Sequence, residues 1–117
     1  QDYVFERRDK IDGSLYYTLL PLAERFQDEN KPLGAVLVYR ALLEANLAKA
    51  QSKYYSHGVR YLRKLDALSA QVRDWKKIED HVEFSKRIRE RHAQKVSFWM
   101  KYEKKPATRR VKGVSVE

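Results

Sequence analysis

Between Pro32 and Gln51 the chain is apolar on nearly every side. Val36, Tyr39, Leu43, Leu47 and Ala50 fall on one face of a helix, and Ala35, Val38, Leu42 and Ala45 on another. Arg40, Glu44, Asn46 and Lys49 are the few polar positions. Such a helix has no face to give to water and must be covered from more than one side. The segment therefore predicts a domain in which this helix is central, with alanines that let its neighbours approach closely.

The flanking sequence supplies those neighbours. From Ser14 to Glu29, Leu15, Leu19, Leu22 and Phe26 recur at helical spacing, widened by Tyr16 and Ala23. An interior proline costs about 3 kcal/mol, so this first helix is either kinked at Pro21 or shorter, with Pro21 in its first turn. Asn30-Lys31-Pro32 separates it from the central helix, where Pro32 suits the first position. After a break at Ser52–Ser56, a third helix is expected from His57 to Trp75, with Tyr61, Leu65, Leu68, Val72 and Trp75 on one stripe. A fourth is expected from an Asp80 N-cap, with Glu83 completing a capping box. Its stripe is Phe84, Ile88, His92, Val96 and Trp99, with Tyr102 as an extension. The fold class is all-α, with four main helices packed as antiparallel hairpins. Residues 1–13 read as a connector, 14–102 as the helical domain and 103–117 as a basic tail.

Composition excludes several classes. The 117 residues contain no cysteine, which removes disulfides, thiol catalysis and Cys-based zinc sites. No apolar run approaches the roughly 20 residues of a membrane span. The first residue is Gln1 and the one methionine is Met100, so the expectation is a piece of a longer protein. Net charge is +9 and uneven. Residues 1–30 carry seven acids against four bases, a net −3, whereas residues 81–117 carry eleven bases against four acids, a net +7. A dipolar distribution of this kind attracts nucleic acid, an acidic protein or an anionic surface; its plainer meaning is a solvated face.

Leu19, Leu22, Ala23 and Phe26, followed by Ala35 and Tyr39, stand at the spacing of a tetratricopeptide hairpin, in which small residues let two helices touch and large ones fill the groove beside them. The first two helices thus resemble a single degenerate repeat. Leu19 takes the place of the usual Trp and Leu47 that of the closing Pro, and no second copy follows 34 residues on. The resemblance implies a tetratricopeptide-like right-handed array. A wider set of residues resembles a bacterial domain family of uncharacterised function: Leu20 through Arg25, Tyr39 through Leu43, Tyr55, His57, Tyr61-Leu62 and Phe98-Trp99. That likeness implies a bacterial cytoplasmic protein and carries no activity with it.

Catalytic chemistry finds little support. His57, His81 and His92 show no metal-ligand spacing, the four glycines are isolated, and no nucleophile arrangement is legible. His92, on an apolar stripe, reads as a packed histidine. No enzyme activity, metal or cofactor is expected. The first functional expectation is an interaction module that takes a peptide or a neighbouring domain of the parent chain, with Arg40, Asn46, Tyr54, His57 and Arg60 lining the contact. The second is a nucleic-acid-binding module using Arg87, Arg91 and Lys95 of the fourth helix and Arg109 and Arg110 of the tail. Tyr54, Tyr55, Tyr61 and Trp75 beside Lys53, Arg60, Arg63 and Lys64 form a basic and aromatic cluster of similar meaning, although Tyr61 and Trp75 belong to an apolar stripe. An accessory domain of an enzyme catalysing elsewhere in the parent chain is the third.

Overall fold

The computed structural model describes residues 16–49 and 51–104. The 1–13 connector and most of the basic tail, with Arg109 and Arg110, lie outside the described residues. Those described form five α-helices and no strand: α1 (Tyr16–Asp28), α2 (Pro32–Lys49), α3 (Tyr55–Ser69), α4 (His81–Arg91) and α5 (Val96–Glu103). A single 3₁₀ turn, Ser52–Tyr54, joins α2 to α3.

The end of α1 is set by Asn30. Its φ of 57° is left-handed, and the chain closes with Lys31 N–H donating to Phe26 O at 2.8 Å and Asn30 N–H to Gln27 O at 3.1 Å. This pair of bonds is a Schellman cap, with asparagine where glycine is commonest. Pro32 then opens α2 without losing a bond. The helix α1 runs through Pro21 on its exposed side, so the shorter-helix alternative does not apply.

Helix α2 is the centre. Every residue from Leu33 to Arg40 is buried, together with Leu42, Leu43 and Leu47. It packs most extensively against α1 and α3, which flank it, and α5 rests on α3. Of the residues of the hairpin likeness, Ala23, Phe26, Ala35 and Tyr39 are buried, and Leu19 and Leu22 are partly buried against the core. Tyr39 also donates its hydroxyl to Gln27 Oε1 at 2.8 Å and meets the Tyr61 ring of α3 at 6.2 Å.

Two expectations need correction. The third helix starts at Tyr55 and ends at Ser69, not Trp75. Val72 and Trp75 still pack on the core, but from an irregular segment in which Lys76 and Lys77 are left-handed. The expected fourth helix is two helices. Its Asp80 capping box is present, but the chain turns at His92–Lys95, closed by Lys95 N–H to His92 O at 3.0 Å. The turn changes which residues face inward. Val96 is 61% exposed, and Phe98 enters the core completely, edge-on to Tyr55 at 5.6 Å.

Candidate functional site

Four of the five expected contact residues gather where α2 passes into α3. Asn46 Nδ2 donates to Tyr54 O at 2.9 Å and thereby fixes the 3₁₀ turn. Tyr54 is 40% exposed, with Lys53 Nζ 5.1 Å and Lys49 Nζ 6.0 Å from its ring centroid. His57 and Arg60 lie one turn apart on the exposed side of α3, with Arg60 Nη2 3.3 Å from His57 Nδ1. Lys64, also exposed, extends the row. Among the described residues Lys49, Lys53, Arg60 and Lys64 join no ion pair, whereas Arg25, Lys31, Arg87 and Arg89 all do. The sequence held a signal for this: none of the four has an acid three or four positions away. Other members of the expected basic-aromatic cluster are employed elsewhere. Tyr55 and Tyr61 are buried in the core, and Arg63 caps α5.

Arg40, the fifth contact residue, is not in that row. It is buried, with 7% of its surface exposed, and its guanidinium lies over Phe84 at 4.4 Å and Trp75 at 5.2 Å. Its Nε and Nη2 have no hydrogen-bond partner. Burial lowers its pKa to about 10, against a smaller pull upward from Glu79. Beside it Arg87 grips the Glu79 carboxylate through Nε and Nη2 and reaches Glu44 Oε1 at 3.3 Å. These carboxylates hold the Arg87 guanidinium more firmly protonated than usual, the Glu79 hydrogen bond first.

A third cluster was not foreseen. Asp66 on α3 accepts from Tyr102 of α5 through Oδ2 and meets His81 Nε2 of α4 at 2.6 Å through Oδ1. Ser85 Oγ stands 3.4 Å from the same His81 nitrogen. Serine, histidine and aspartate thus converge, but a relay needs the two ring nitrogens to face different partners. Here one nitrogen faces both, and it cannot donate to Asp66 while accepting a proton from Ser85. Burial, then Asp66, raises Tyr102 to about 12, which keeps its hydroxyl a donor. Arg63 Nη2 adds bonds to the carbonyls of Lys101, Tyr102 and Lys104, the last at 2.6 Å, across the C-terminal end of α5. This arrangement is a clasp that holds α4 and α5 on α3. No sequence signal links Asp66 to His81 or Tyr102, because the pairing exists only once the helices pack.

Residues 1–101 match a family of unknown function, DUF6880. The chain belongs to that family. Comparison with curated proteins and with solved structures gave no match. The DUF6880 match takes in α1 to α4, most of α5, and all three clusters except Tyr102 and the carbonyls beyond residue 101. Of the residues expected to bind nucleic acid, Arg87 is committed to Glu79 and Glu44, Arg91 is exposed, and Lys95 is half-buried at the start of α5. Among the described residues no group of acids and histidines could hold a metal, and no helix is long and apolar enough to cross a membrane.

Proposed function

We propose that this chain is a non-catalytic interaction module, part of a larger bacterial cytoplasmic protein, that docks an acidic peptide segment or neighbouring domain. The docking surface is the row Lys49, Lys53, Tyr54, His57, Arg60 and Lys64, stacked on a tetratricopeptide-like array of hairpins. The observation that carries the reading is that Lys49, Lys53, Arg60 and Lys64 gather on one exposed stretch with no acid to pair with, whereas Arg25, Lys31, Arg87 and Arg89 each find one. From His57 to Lys64 the row rises about 10 Å along α3, at roughly 1.5 Å per residue. That length suits a few turns of an acidic helix or a short extended segment. Single-stranded nucleic acid fits less well, because its bases stack on open aromatic faces and Tyr54, the exposed aromatic side chain of the row, is already flanked by two ammonium groups.

The test uses a glutamate-rich peptide and mixed-sequence single-stranded DNA and RNA as probes for the full chain. The peptide is expected to bind at low salt, and Lys53→Glu, Arg60→Glu and Lys64→Glu together should abolish binding while leaving the helical circular dichroism unchanged. Binding of nucleic acid alone, with a steep salt dependence and sensitivity to Arg91→Gln and Lys95→Gln instead, would transfer the function to the α4–α5 face.

A further inference from the structure

Among the described residues, Arg40 is the one charged residue that is buried. Its Nε and Nη2 are closed off from solvent and bonded to nothing. These two nitrogens form a single edge of the guanidinium, the edge that grips a carboxylate side-on. Arg87 shows the same edge in use, with Nε and Nη2 at 3.1 and 2.6 Å from Glu79 Oε1. In Arg40 no group among the described residues of the protein accepts from the same edge. Its neighbours cannot supply an occupant without giving something up: Glu79 and Glu44 are held by Arg87, and Asp80 is committed to the α4 capping box.

The cover over this fork is the irregular segment between α3 and α4. Trp75 lies over the guanidinium. Directly after it Lys76 and Lys77 have φ of 51° and 69°, two successive side-chain-bearing residues in the left-handed region. That conformation is costly for residues other than glycine, so the covering position of Trp75 is held against strain. The bonds Lys76 N–H to Asp74 Oδ1 and Ile78 N–H to Trp75 O stay within the segment and would travel with it.

We infer that Arg40 is the floor of a carboxylate-binding site roofed by Trp75. A carboxylate of a protein partner, from an Asp or Glu side chain or a chain end, takes the free Nε–Nη2 edge as the residue 73–78 segment lifts. The planar fork and the flat aromatic walls of Phe84 and Trp75 suit a carboxylate better than a tetrahedral phosphate. This site is separate from the α2–α3 row and does not depend on it.

The Arg40 Nε–H and Trp75 indole signals in ¹H–¹⁵N NMR spectra of the full chain report on the site directly. Sodium acetate should move both in a saturable way, with sodium chloride at equal ionic strength leaving them in place. Two peptides then separate the sources, one carrying a glutamate and an amidated end, the other a free carboxyl end and no acid side chain; either should reproduce the acetate shifts at lower concentration. Arg40→Met should remove the response and unfold at a temperature no lower than the parent, because a buried, unbonded cation has been replaced by an apolar side chain. Arg40→Lys, which keeps the charge but loses the fork, should weaken the acetate response at least 10-fold and serves if Arg40→Met does not fold. No acetate-specific shift, a Trp75 response surviving in Arg40→Met or undiminished in Arg40→Lys, a lower unfolding temperature for a folded Arg40→Met, or preference for inorganic phosphate would each overturn the inference.

Discussion

At Gly58 three helices meet at close range. A Cβ built there would stand 2.3 Å from Asn46 Oδ1 on α2 and 3.0 Å from Phe98 Cε1 on α5. Alanine normally favours a helix over glycine by about 1 kcal/mol, but overpacking of this degree costs about 1–3 kcal/mol, and Asn46 cannot swing away without releasing the Tyr54 carbonyl. Gly58→Ala is therefore expected to lower stability in urea unfolding, and Asn46→Ala added to it should recover part of the loss, a non-additivity that a double-mutant cycle reads directly. His92 makes a second prediction at this scale. Its Nδ1 is buried without a partner, and burial, then Lys95 and Arg91, hold the imidazole below its ordinary 6.5. The unfolded chain thus takes up the proton more readily. The His92 contribution is complete above about pH 6.5 and is lost as pH falls from there through the lower folded value. The unfolding midpoint should drop between pH 7.5 and 5, and His92→Gln should shrink that drop; an unchanged pH profile in the variant would remove His92 as its cause.

The elements differ in how they are held. Helix α5 has eight residues and one buried side chain, Phe98, which is too short to persist without docking. The Asp66 clasp and the Arg63 cap supply that docking from one face of α3. Asp66→Ala removes the acceptor of both Tyr102 and His81, and hydrogen bonds to a charged group contribute about 1.5–3 kcal/mol each, discounted here for an aspartate that is 39% exposed. The expected outcome is faster amide exchange in α5 with little change in α2. The same helices mark the limit of what the sequence makes legible. The α2 pattern implied a central helix because an apolar surface on all sides has one physical meaning. Phe84, Ile88, His92, Val96 and Trp99 fit one continuous helical period, yet the chain breaks after Arg91 with no glycine or proline to announce it. The break lets Phe98 reach Tyr55, a tertiary gain that overrides local periodicity. Ser69 likewise ends α3 while Val72 and Trp75 keep their apolar role from a turn. In the candidate site, Asn46, Tyr54, His57 and Arg60 were legible together because they are neighbours along the chain. The surroundings of Arg40 were not, since Phe84 and Trp75 arrive from a distant part of it.

Across the whole molecule, packing is graded from the centre outward. Helix α2 is covered by α1 on one side and α3 on the other, while α5 touches the domain mainly through α3. Opening α2 to solvent requires both flanking contacts to part, which amounts to unfolding the domain, whereas α5 can lift from α3 with the α1–α2 hairpin intact. Native-state hydrogen exchange should therefore show α2 amides exchanging only through global unfolding and α5 amides through a smaller local opening. Two truncations distinguish these routes. Leu43 is fully buried in α2, and Leu43→Ala should cost about 2–5 kcal/mol, taken in full from α2 protection. Phe98 is equally buried, and Phe98→Ala should cost about 3–5 kcal/mol, but once α5 is detached the remaining penalty has no further hold on α2. Loss of α2 protection in Phe98→Ala should thus be capped at the free energy that separates the local opening from global unfolding. Equal losses in both helices for both variants would mean that the five helices open as one unit, and the graded packing would then have no energetic counterpart.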